Sequence, residues 1–87
     1  MKKIVSVIKP FTLVQNIFVY ENTDKIATYT SNLNDIQNIL LNLAEEYQIN
    51  NISLVGSKKF SKGIKEKIEQ AEMVKYNENK LNINLIN

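Results

Sequence analysis

The chain has no cysteine, no histidine, no arginine and no tryptophan. Without cysteine there is no disulfide scaffold, no thiolate metal site and no cysteine nucleophile. Without histidine the commonest general base and the commonest metal ligand are both missing. All eleven basic residues are therefore lysines, so no planar fork is available for guanine edges or carboxylates, and an anion meets point charges only. Glycine and proline are scarce too, at two and one. Gly56 and Gly63 form neither a Walker loop nor a dinucleotide fingerprint. The apolar runs fall far short of the ~20 residues that span a bilayer. The start, MKKIVSVIKPF, reaches Lys9 and Pro10 without a small-residue cleavage site. The expectation is a soluble, cytoplasmic protein with no membrane partner.

The 87 residues are read as one domain spanning 1–87. A chain of this size buries only about 60–65% of its unfolded surface, so each apolar segment is needed for the core. A net charge of +2 is not the bulk signature of a nucleic-acid binder. The abundance of Asn, Ile and Lys suggests AT-rich coding, in a bacterium or in a phage or mobile element; for the latter, the location would be the host cytoplasm.

Lys3–Ile8 is a β-rich run closed by Pro10, which cannot donate to a ladder. Val14–Tyr20 is a second strand, Glu21–Asp24 a turn, and Lys25–Thr30 a returning third strand. Leu33, Ile36, Leu40, Leu43 and Tyr47 then fall at steps of three and four, the stripe of an amphipathic helix capped by Ser31 or Asn32. Asn51–Gly56 is a short buried strand. Phe60, Ile64, Ile68, Ala71 and Val74 give a second helical stripe, and Leu81–Ile86 alternates as a last strand. The order β-β-β-α-β-α-β predicts a two-layer α/β domain with a mixed five-stranded sheet in the order 3-2-1-4-5. Both crossovers step the same way, so the right-handed rule puts both helices on one face and leaves the other bare.

This order resembles the ribonuclease H-like fold over almost the whole chain, and is similar to ribosomal-protein domains that bind RNA. The resemblance implies acidic residues on the first strand and near the end of the fourth, holding divalent metal. Here those strands read KKIVSVI and NISLVGS, with no carboxylate. The resemblance therefore implies a catalytically silent version, with no catalytic residues, metal or cofactor. The opening MKKIVSVIKPFTL also looks like the start of PII-type nitrogen-signalling proteins, but those continue into a helix where this chain continues into VQNIFVY.

Two surfaces stand out. In the first, Gly56 and Ser57 release a strand into a helix whose start carries Lys58, Lys59 and Lys62, with Ser57 or Ser61 as the cap. Helix starts ordinarily attract acids, and lysines there oppose the macrodipole at about 0.3–1 kcal/mol each when exposed; a bound anion would reverse that penalty. The bland reading is a solvated face, with Lys62–Glu66 and Lys65–Glu69 paired along the helix. The second surface is the bare sheet face. With Ile17 and Val19 toward the helices, Phe18 and Tyr20 point out, joined by Tyr29 and by Asn82 and Asn84. Aromatic residues among amides suit a protein interface or a stacking platform for single-stranded nucleic acid; the bland reading is rings that only cover the sheet or form a homodimer core. The scattered acids Asp24, Asp35, Glu45 and Glu46 read as solvated surface.

The expectation is a small non-catalytic interaction protein, phage- or mobile-element-encoded, binding a protein partner or a second copy of itself through the sheet face. An inhibitor of a host defence system fits that description. The alternative is an anion-binding module that holds nucleic-acid phosphate or a nucleotide at Gly56–Lys62.

Overall fold

The structure, a computed structural model, describes residues 1–75 and 81–86, with the side chains of 72–75 outside that description. Val74, expected in the second helical stripe, is among those side chains. The elements are β1 (Lys2–Ile8), β2 (Gln15–Glu21), β3 (Asp24–Ser31), α1 (Ile36–Tyr47), β4 (Asn51–Gly56), α2 (Lys58–Lys75) and β5 (Asn82–Ile86). They form a mixed five-stranded sheet in the order β3-β2-β1-β4-β5. β2 is antiparallel to β1 and β3, whereas β1–β4 and β4–β5 are parallel.

Alternation along the strands decides the two faces. On one face Ile4 and Ile8 of β1, Ile17 and Val19 of β2, Ile52 and Leu54 of β4 and Ile83 of β5 are buried. They join Ile36, Leu40, Leu41, Leu43 and Ala44 of α1 and Ile64 and Ile68 of α2 in a single core. Both helices thus lie on the same side of the sheet, as right-handed crossovers require. Each fully buried Ile or Leu contributes about 1.5–3 kcal/mol of transfer free energy. That gain is what holds α2 against the sheet, because its outer face is mostly charged.

Three local expectations are corrected. α1 starts later than Ser31 or Asn32 predicts: its N-cap is Asp35, and Leu33 sits in the preceding turn. The Asn32 side chain is occupied there, its Oδ1 accepting the Asp35 N–H at 2.8 Å, so it closes the turn rather than the helix. In α2 the buried row runs through Ser61, Ile64 and Ile68, while Phe60 is left 43% exposed. A residue one position before Ser61 is rotated by about 100°, which brings Phe60 to the rim. The third correction concerns β3. Its register shifts against β2 between Val19 and Tyr20, so Val19 faces Ala27 while Tyr20 faces Lys25, and Ile26 is the extra residue of a bulge.

That bulge reverses the side on which Tyr29 was expected. Tyr29 pairs with Ile17 and lies on the helix-covered face, where its hydroxyl is 2.6 Å from that of Tyr47 on α1.

Candidate interaction surface

The face opposite the helices is built from the other half of each strand's residues. Its middle row runs Thr28, Phe18, Val5, Ser53, Asn84 across the five strands. The row toward the C-terminal end of β1 runs Thr30, Asn16, Val7, Val55, Ile86. On the other side Tyr20 lies between Lys3 and Lys25, and Asn51 pairs with Asn82. No described helix covers this face. Val5, Val7, Phe18, Tyr20 and Val55 are nevertheless only partly exposed, because they shield one another across the strands, and Ile86 is 48% exposed.

The two rings are organised. Phe18 and Tyr20 stand edge to face, with centroids 6.5 Å apart. The Lys25 Nζ lies 4.7 Å from the Phe18 centroid and the Lys3 Nζ 5.7 Å from that of Tyr20. Such contacts contribute about 0.5–1 kcal/mol each at exposed sites. A cation therefore stands over each ring, and the surface combines aromatic area with positive charge. Asn82 and Asn84 are exposed at the β5 edge. Phe18, Tyr20, Asn82 and Asn84 are thus brought to one face, and Tyr29 is not.

The residues that the sequence reading missed are Val5, Val7, Val55 and Ile86. The signal was present in β1, whose IVSVI is apolar at nearly every position. A central strand that is apolar on both sides, in a sheet with helices on one, places valines on the bare face.

At the opposite rim of the core, Gly56 ends β4 with φ +117°. The Ser57 N–H donates to the Ile8 carbonyl at 3.1 Å, and the Ser61 N–H donates to the Ser57 carbonyl at 2.9 Å. Ser57 is therefore the residue from which α2 departs, in keeping with an N-cap. Lys58, Lys59 and Lys62 are exposed there, and no acid occupies the first turn. Ser61 does not belong to this surface. It is buried beneath the helix, and its Oγ has no hydrogen-bond partner among the described residues.

The loop between β1 and β2 abuts this helix start, since Ile8 pairs with Gly56. Gln15, buried at its base, holds the loop: Oε1 accepts the Lys9 N–H at 2.6 Å, and Nε2 donates to the carbonyls of Lys9 and Thr12 at 2.8 and 2.7 Å. Among the described residues no group of three or more acidic side chains is placed to hold a metal ion, and no helix is long and apolar enough to cross a membrane.

No family model and no curated protein matches the chain. Among solved structures it is similar to a Bacteroides thetaiotaomicron protein with an actin-like ATPase fold and unknown function, with a TM-score of 0.70 at 12% identity. The likeness covers 98% of this chain and 32% of that one, so this chain spans about a third of the length of the protein it matches. The shared strand order is that of the ribonuclease H-like arrangement, in which the actin-like ATPase fold is also built. At this identity the likeness establishes the fold.

Proposed function

We propose that this chain is a small non-catalytic interaction protein, a ribonuclease H-like domain without metal-holding acids, that binds a partner protein through its bare sheet face. The observation that carries this reading is the apolar and aromatic middle of that face. Val5, Val7, Phe18, Tyr20 and Val55 sit on strands whose other side is fully packed, so the sheet does not need them for its core. Leaving such a patch in water is unfavourable at about 25 cal/mol per Å2 of apolar area, and a partner that covers it recovers that free energy. Phe18 and Tyr20 supply the large rings that anchor interfaces, and Asn82 and Asn84 a polar rim. A format of this kind suits an inhibitor that acts by occupying a partner's surface, including one carried by a phage or mobile element against a host defence protein.

The reading is tested with Phe18→Ala/Tyr20→Ala. Affinity capture by the immobilised chain, with nuclease present, is compared between wild type and the double variant, and sedimentation of each reports self-association. A specific protein partner, or a second copy, lost in the variant supports the proposal. Identical capture and identical oligomeric state in both would overturn it.

A second reading, an anion held by Lys58, Lys59 and Lys62 with Gly56 and Ser57, is favoured by the acid-free first turn of α2. It predicts phosphate or nucleotide binding that falls with salt and disappears in a Lys58/Lys59/Lys62→Ala triple variant.

A further inference from the structure

Seven large apolar side chains are markedly exposed among the described residues, and four of them are on the loop and the helix start that meet at one end of the sheet. Phe11, Leu13 and Val14 are 100%, 89% and 50% exposed on the β1–β2 loop, and Phe60 is 43% exposed on the first turn of α2. The topology brings them together. β1, β4 and β5 are parallel and finish at the same edge, and α2 departs from that edge next to the loop, where Ser57 bonds Ile8. Gln15 fixes the main chain of this loop at Lys9 and Thr12, in the conformation that leaves Phe11 and Leu13 exposed.

The same end is positively charged. Lys9, Lys58, Lys59 and Lys62 are exposed on it, against Asp35 alone. The other described acids lie elsewhere. Glu21 and Asp24 flank the far hairpin turn, Glu45 and Glu46 are at the far end of α1, and Glu66 and Glu69 are further along α2.

We infer that this end of the sheet is a second docking surface, distinct from the bare face, for an acidic protein segment anchored by apolar side chains. Phe11 and Leu13 would enter its apolar contacts, and the four lysines would meet its carboxylates. Charge complementarity selects this occupant. A second copy would set four lysines against four lysines in a two-fold contact, which repels. Single-stranded nucleic acid could use the lysines and stack on Phe11 or Phe60, but it would leave the aliphatic Leu13 and Val14 without an apolar partner, which a peptide's apolar side chains supply. Lipid insertion calls for an apolar tip with its cations behind it. Here lysines and apolar residues interleave, as in Lys58-Lys59-Phe60 and Lys9-Pro10-Phe11.

The test uses fluorescence anisotropy with a labelled dodecapeptide of alternating Glu and Leu. Controls are the same peptide with Ser for Leu, the same with Lys for Glu, phosphatidylglycerol vesicles, and a thymidine dodecamer. The Glu-Leu peptide is expected to bind in preference to every control. It should weaken by about tenfold or more in Phe11→Ser/Leu13→Ser and in Lys58→Glu/Lys59→Glu. These positions are exposed, so unchanged thermal melts will show that the variants fold. Phe18→Ala/Tyr20→Ala is expected to leave this binding unchanged, which separates the result from the fate of the sheet-face proposal. Equal binding of the Ser or Lys control, preference for vesicles or the oligonucleotide, or indifference to the loop and lysine variants would overturn the inference.

Discussion

Gly56 approaches the Ile8 carbonyl so closely that a Cβ built on it would stand 2.5 Å from the oxygen. With φ at +117° the position also lies where L side chains rarely go. The same carbonyl accepts the Ser57 N–H, so one oxygen joins the end of β1 to the start of α2. This junction holds the β1–β2 loop beside the lysines of the helix.

Gly56→Ala is accordingly expected to destabilise by about 2 kcal/mol or more, combining backbone strain with a clash against main chain that cannot yield. Gly63→Ala should do the opposite. Gly63 is in the body of α2 with nothing within 4 Å of an added Cβ, so the better helix former should stabilise by about 0.5–1 kcal/mol. Urea denaturation of the two variants reads both signs, and equal effects would contradict the account.

Ser61→Ala is expected to raise stability by about 1 kcal/mol. The hydroxyl is buried without a partner among the described residues, and an unsatisfied buried polar group costs about 1–3 kcal/mol. Thermal melting measures it. A loss of stability would mean that the hydroxyl has a partner after all.

Gln15→Leu keeps the approximate volume but removes the clamp on the loop. The Lys9 N–H and the Thr12 carbonyl lose the partner that Gln15 gives them, at about 1–3 kcal/mol in total. Hydrogen exchange at Lys9 should accelerate by more than exchange in the middle of β1. Unchanged exchange at Lys9 would contradict the clamp.

The Tyr29 phenol is pushed up from 10.0 to about 12, first by its hydrogen bond with Tyr47, then by burial, and then by the charges of Tyr47 and Glu46. A raised folded-state value stabilises the protonated form. Its contribution is therefore complete below pH 10 and disappears as pH rises through about 12. Ultraviolet titration should show the Tyr29 ionisation delayed to about pH 12, and Tyr47→Phe should bring it back toward its ordinary value. A Tyr29 titration indifferent to Tyr47→Phe would refute the pairing.

Much of this fold was legible because its elements are short and strongly patterned. The change from period two in VQNIFVY to steps of three and four through Ile36, Leu40 and Leu43 separates strand from helix, and right-handed crossovers then leave one face bare. What escaped were events that add one residue. The sequence reading puts Tyr29 outward beside Phe18 and Tyr20; the bulge at Ile26 puts Ala27 and Tyr29 inward instead. Phe60 fits the four-residue spacing of the second stripe with Ile64 and Ile68, but the small Ser61 takes the buried place in that turn instead. The exposed Phe11 and Leu13 were hidden by the opposite habit, in which apolar residues beside a strand are assigned to the core. Their exposure belongs to a loop conformation held by the Gln15 clamp, a contact between residues on both sides of the loop.

The most direct test of the central claim is nuclease-treated affinity capture with wild type and Phe18→Ala/Tyr20→Ala, read alongside sedimentation of each. The account predicts a specific protein, or a second copy of the chain, bound by the wild type and lost from the double variant while both remain folded at the temperature of the assay. The same proteins captured by both, with the same oligomeric state, would contradict it.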